Sequence, residues 1–271
     1  MKKEMFKEYR KWFDGYVRSF KSDNSDFQQN IEMKEKHTLR VCNEILALGK
    51  ELGLENGDLH LAEVLALFHD IGRFEQYARY QTFVDRNSEN HAALGVKILL
   101  ENDVLAGLDD RIQNLILRSI SYHNRAALPR EETEECLFFT KLLRDADKLD
   151  IWKVVTDYYR RKNRKRNVAI ELGLPDTPGI SEKVYKALME EEIVYAGDLN
   201  NLNDFKLLQI GWIYSINFAP TFHHIKERKY LDIIRGCLPR TDQIDSIFSI
   251  VESYLDKHIV PERTRRLRKL S

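Results

Sequence analysis

An apolar run, Leu59 to Phe68 (LHLAEVLALF), ends in an adjacent histidine and aspartate, His69-Asp70, followed by Ile71-Gly72-Arg73. The run offers few positions for a lone buried charge. An ionised carboxylate at its end therefore needs a counter-charge, because burying one unpaired costs several kcal/mol. Neutral imidazole and carboxylate are both good ligands for Zn, Mn or Fe, so a bound metal ion is a natural partner. A capping aspartate beside a satisfied histidine is the competing reading, and the dipeptide alone does not separate the two.

The helical pattern brings further imidazoles and carboxylates to common ends. A helix expected from about Asn30 to Leu52 turns Leu39, Cys42, Ile45, Leu46 and Leu48 inward, closes at Gly53 and carries His37 near its start. After the Glu55-Asn56-Gly57 turn a helix from Asp58 to Asp70 runs back, returning His69 to the end where His37 began. The arrangement recurs once. Ser88-Glu89-Asn90 opens a helix to about Glu101 with His91 in its first turn. Beyond Gly107-Leu108-Asp109 a return helix, Arg111 to Tyr122, finishes at His123. A loop from Asn124 to Arg130 then leads into a helix from Glu131 to Leu149, extending toward Tyr159. Asp145, Asp147 and Asp150 place three carboxylates within six residues of that helix. Collected, the candidate ligands are His37, His69, Asp70, His91, His123 and Asp147.

The elements around them are helical too. Residues 4 to 20 carry an aromatic face, Phe6, Tyr9, Trp12, Phe13, Tyr16, Val17 and Phe20, expected to pack on the core. Lys21 to Asn30 is polar and reads as a loop. Past Tyr159 comes a cationic run, Arg160 to Arg166, read as a solvated face, then Pro175 and Pro178 in a loop. Helices are expected at Ser181 to Tyr195, Leu202 to Phe218, Phe222 to Gly236 and Asp242 to Lys257, with a frayed arginine-rich end from Glu262. With only 12 glycines and 6 prolines in 271 residues, the fold should be nearly all helix. Lys+Arg and Asp+Glu both total 43, so no global field draws the chain to nucleic acid or membrane. Cys42, Cys136 and Cys237 are read as buried, unpaired helix residues of a reducing compartment. With neither a signal-peptide pattern nor a long apolar stretch, the chain is placed in the cytoplasm.

In its ligand order the chain resembles the HD-domain superfamily of metal-dependent phosphohydrolases, a helical fold defined by a first histidine, an adjacent His-Asp pair and a downstream aspartate. His37, His69-Asp70 within HDIGR and Asp147 within ADKLD match, over about Asn30 to Ile151. The family's last aspartate stands just before a basic residue and a leucine, which selects Asp147. Asp145 and Asp150 remain as acceptors behind the ligands, with a solvated position the commoner expectation for both. Two further histidines, as at His91 and His123, imply a dinuclear site bridged by Asp70. Its divalent ions, Mn, Fe, Ni, Co, Mg or Zn, are not distinguished. Two cations about 3.5 to 4 Å apart supply hydroxide near neutral pH and clamp the attacking and departing oxygens. In relatives carrying HDIG, a basic residue at the position of Arg73 meets substrate phosphate. Asp70, Arg73 and Lys148 are therefore the expected catalytic set.

The resemblance implies an all-α HD-domain helical bundle with additional C-terminal helices. The chain is expected to form one helical domain, with an HD core over about 28–160 and an elaboration over 161–271. The implied activity is cleavage of a phosphate ester of a small molecule or nucleotide by metal-activated hydroxide, the partner being that small phosphorylated substrate. No membrane or nucleic-acid partner is expected, and a homo-oligomer is left open. Two branches are not supported. His123 is followed by NRAALP where cyclic-dinucleotide phosphodiesterases carry Gly-Tyr-Pro, and Arg73-Phe74 stand where alarmone hydrolases carry an acidic pair. The alternatives are a di-iron oxygenase, which uses the same four-histidine, two-aspartate set, and a non-catalytic metal- or ligand-sensing module.

Overall fold

Apolar residues recurring three and four apart build helices along the chain. The computed structural model, which describes residues 3–161 and 167–259, contains no strand among them. Most of the cationic run from Arg160 to Arg166, and the arginine-rich end from Glu262, lie outside the described residues. The chain divides into two compact units, Met1–Asp150 and Ile151–Ser271.

In the first unit α1 (Lys3–Arg18) lays its aromatic face on the core: Tyr9 and Trp12 meet Phe68 edge-on, and Phe13 meets Phe74. Next, α2 (Ser25–Glu51) starts five residues before the expected Asn30. The Asn24 side chain accepts from the Phe27 N–H and so caps the helix inside what reads as a loop. It packs as a hairpin with α3 (Asn56–Phe68), whose residues from Leu61 to Phe68 are buried except Glu63. His69 occupies the C-cap of α3.

A helix absent from the sequence reading follows at once, α4 (Gly72–Tyr80). It crosses the start of α5 (His91–Glu101) backbone to backbone. A Cβ at Gly72 would run into the His91 carbonyl oxygen and lie 2.7 Å from the Gly95 nitrogen, so only glycine fits there. The glycine after the His-Asp pair thus sets the approach of two helices. Asn90 caps α5 and Asp109 caps α6 (Asp110–Tyr122), each accepting from a backbone N–H three residues on. His91 is the first residue of α5 and His123 the C-cap of α6. The first unit ends within α7 (Glu134–Arg160).

The second unit holds the rest of α7 with α8 (Val168–Glu171), α9 (Glu182–Met189), α10 (Leu202–Gly211), α11 (Ala219–Glu227), α12 (Tyr230–Arg235) and α13 (Asp242–His258). Its core forms around Trp152, which packs on Trp212 and Tyr230 and donates its indole N–H to the Gln209 carbonyl at 3.0 Å. The expected helix from Leu202 to Phe218 stops at Gly211 and passes through a 3-10 turn, Trp212–Ser215. Pro220 then falls in the first turn of α11, where its missing N–H goes unused. The expected helix from Phe222 to Gly236 is broken by Lys229, whose φ of 56° is left-handed. Cys42 and Cys136 are buried as expected, but Cys237 lies half-buried in the turn after α12 rather than inside a helix.

Candidate metal centre

Asp70, at the end of α3, turns its two carboxylate oxygens to different histidine pairs. Oδ2 lies 3.6 Å from His37 Nε2 and 3.7 Å from His69 Nε2. Oδ1 lies 3.4 Å from His91 Nε2 and 3.7 Å from His123 Nε2. His37, His69 and Asp70 form one group and Asp70, His91 and His123 another, the ligand atoms of each lying within 4.8 Å of one another. Asp147, from α7, adds Oδ1 to the first group, 3.1 Å from His37 Nε2 and 3.6 Å from His69 Nε2. The six residues collected from the sequence therefore meet at one place. The hairpins explain part of this: His91 opens α5, His69 and His123 cap the ends of α3 and α6, and His37 reaches the same place from the middle of α2.

The proton positions follow from what each ring touches on its far side. His69 Nδ1 donates to the Ala66 carbonyl and His123 Nδ1 to the Ile120 carbonyl, both at 2.7 Å. These carbonyls stand in the last turns of α3 and α6, where carbonyls run out of i+4 partners; that of Ile120 also accepts the His123 backbone N–H at 3.4 Å. His37 Nδ1 meets Asp150 Oδ2 at 2.6 Å, and His91 Nδ1 meets Asp85 at 2.8 and 2.9 Å. Each neutral imidazole so held carries its proton on Nδ1 and presents a bare Nε2 inward. Two consequences test whether the residues suit a metal. His91 Nε2 and His123 Nε2 face each other 3.0 Å apart, two lone pairs with no proton to share. His37 Nε2, His69 Nε2 and Asp147 Oδ1 are buried without a hydrogen-bond partner among the described residues. A cation satisfies all of these atoms at once, and the donor set of imidazole nitrogens and carboxylate oxygens fits a divalent first-row metal.

Charges behind the ligands tune them. Burial and the Lys34 ammonium oppose a proton on His37, but Asp147 and Asp150 outweigh them and raise that imidazole to about 9. Burial and Arg73 push His91 down to about 3 despite Asp85, so it is neutral. Burial would raise the Asp70 carboxyl, yet Lys34, His69, His123 and Arg73 hold it well below the carboxylate range. Asp150 is fully buried, where the sequence suggested a solvated position. It accepts from Arg40 Nε at 2.6 Å and Nη2 at 2.9 Å besides His37. Asp145 is buried as well. Arg144 donates to the carbonyls of Tyr122, His123 and Arg125, bracing the end of α6 that carries His123.

Of the expected phosphate contacts, Arg73 has Nη1 engaged by Gln76 Oε1, the Phe83 carbonyl and Asp85 Oδ1, with Nε 3.5 Å from Asp70 Oδ1. Lys148 is pushed down to about 8 by burial and by the Arg144 guanidinium. Lys34, Arg40 and Asp85 went unnoticed in the sequence. Lys34 and Arg40 stand three residues to either side of His37, the one local signal that could have found them.

Residues 35–152 match the family model of the HD domain. This segment is similar to HD domains. HD domains are typically metal-dependent phosphohydrolases, and the matched stretch contains all six clustered residues. No curated protein and no solved structure matches the chain. No helix among the described residues is long and apolar enough to cross a membrane.

Proposed function

We propose that this HD-like domain hydrolyses a phosphate ester of a small molecule or nucleotide, with two divalent metal ions. The observation that carries the reading is the division of Asp70 between two histidine pairs, each ring turning its Nε2 toward one of the two carboxylate oxygens. His37, His69, Asp70 and Asp147 would hold one ion, and Asp70, His91 and His123 the other. Such ions lower the pKa of water to near neutrality and offset phosphate charge. The chain's own groups prepare the site. Asp150, Asp85 and the carbonyls of Ala66 and Ile120 fix four imidazoles with Nε2 inward. Arg73 adds positive charge beside Asp70 and, through Asp85, steadies His91. Lys148, next to Asp147, adds a second cation. A cytoplasmic setting belongs to the same proposal and is supported by the three free thiols.

Metal analysis of the purified chain, joined to a phosphatase and nucleotidase screen with added Mn, Mg, Co or Ni, tests the reading. Wild type should hold roughly two ions per chain and turn over at least one phosphate ester, and His69→Ala/Asp70→Ala should lose both. Equal metal content and equal background activity in the two proteins would overturn it. Oxygen uptake by the iron-loaded protein without phosphate release would move the assignment to an oxygenase.

A further inference from the structure

Lys34 lies one turn before His37 on α2, and its ammonium donates to Asp70 Oδ2 at 2.8 Å. That oxygen is the one facing His37 and His69. Among the described residues Asp70 is the one carboxylate paired with Lys34, and its other neighbour is the face of Phe83, 5.4 Å from Nζ. The ammonium therefore provides, in the metal-free chain, positive charge that Asp70 needs at 5% exposure. A metal ion bound through Oδ2 supplies that charge instead. Lys34 is then a cation with no carboxylate of its own, next to the ligands.

Its position and stem suit a second task. The Lys34 side chain is 17% exposed and Asp147 18%, whereas His37, His69, Asp70, His91 and His123 are at 6% or less. Lys34 and Asp147 are thus the more exposed of the groups around Oδ2. A four-carbon flexible stem lets the ammonium leave Oδ2 without moving α2, and the Phe83 face favours keeping it near. Arg73 is less free to turn, because its Nη1 already has three acceptors within the protein. Lys148 holds its proton less firmly, since burial and Arg144 bring it down to about 8.

We propose that Lys34 is the residue that contacts substrate phosphate, pairing with Asp70 in the metal-free chain and with phosphate oxygens in the loaded one. The inference rests on the phosphohydrolase reading and names the group by which that site recognises a phosphate monoester. A compact ammonium donating to phosphate oxygens forms a charge-assisted hydrogen bond, the stronger kind. The two roles of Lys34 predict opposite effects of removing it. Taking away its charge frees Oδ2 for metal and deprives phosphate of a partner.

The test is calorimetry on the full chain, first with Mn2+ added to metal-stripped protein, then with inorganic phosphate added to loaded protein. Lys34→Met keeps the stem and removes the charge, and Lys34→Arg restores a charge. Lys34→Met should bind Mn2+ at least as tightly as wild type and phosphate at least about tenfold more weakly. Lys34→Arg should recover part of the phosphate affinity. Phosphate affinity in Lys34→Met within about twofold of wild type would overturn the inference alone. So would a parallel loss of Mn2+ affinity, which marks a structural role. Wild type that takes up Mn2+ yet binds no phosphate and hydrolyses no ester would overturn the phosphohydrolase reading itself.

Discussion

A proton and a metal ion compete for His37 Nε2, and the carboxylates around that ring set the pH at which they exchange. Asp147 and Asp150 raise His37 to about 9, so in the metal-free chain at pH 7 the ring is protonated. Metal must displace that proton. Affinity should then rise with pH up to about 9, by up to about tenfold per unit for one proton released, and level off above. His91, held down near 3, contributes no proton in this range. Calorimetry in buffers of different ionisation enthalpy counts the protons; none released at pH 7.5 would contradict the assignment of His37. Asp150→Asn separates the charge behind His37 from its hydrogen bond, since an amide oxygen still accepts from Nδ1. Metal affinity should fall by about 10 to 100-fold, and its dependence on pH should weaken, with helical circular dichroism unchanged. The inner residues were legible because they are histidines and aspartates in a fixed order, four of them at or beside helix ends. The outer ones were not, because Asp150 reaches His37 across 113 positions and Asp85 acts through a loop with no pattern of its own.

At the scale of elements, two glycines make opposite predictions. Gly72 begins α4 where the backbone of α5 passes, and its missing Cβ is the reason His91 can stand beside Asp70. Gly72→Ala should cost about 1–3 kcal/mol, as overpacking does, and bring the metal content down toward the ions held without His91. Thermal unfolding and metal analysis on the same sample check both. Gly15, exposed on the outer face of α1, has nothing within 4 Å of a Cβ, so Gly15→Ala should stabilise by about 0.5–1 kcal/mol. If both substitutions destabilise equally, the contact at Gly72 is not special. The hairpins α2–α3 and α5–α6 were readable because each pairs apolar periodicity with a turn. Helix α4 was missed for a physical reason: nine residues of mixed polarity, GRFEQYARY, form a helix only because Phe74, Gln76 and Tyr77 bury against neighbours. Propensity alone does not announce that.

For the whole molecule, the cysteines report whether metal stabilises the unit that holds its ligands. Burial, reinforced by Glu63, pushes the Cys42 thiol up to about 12, and burial also raises Cys136, so neither offers thiolate at pH 8 while folded. Both lie in Met1–Asp150, the unit with all six candidate ligands, and Cys237 lies half-buried in the other. Labelling with a thiol reagent at pH 8 should mark Cys237 readily and Cys42 and Cys136 only after opening of their unit. A metal that binds the folded state alone stabilises it by about 2.7 kcal/mol at a hundred times its Kd. If labelling of Cys42 requires unfolding of the ligand-bearing helices, that much stabilisation slows it about a hundredfold. Chelator should restore the original rate, and Cys237 should label at the same rate throughout. Cys42 sits on α2 only five residues after His37, and its thiol donates to the Glu63 carbonyl on α3, the helix that ends at His69. Labelling of Cys42 indifferent to metal would therefore mean that α2 and α3 open without releasing the ion, which a site built from both helices does not allow.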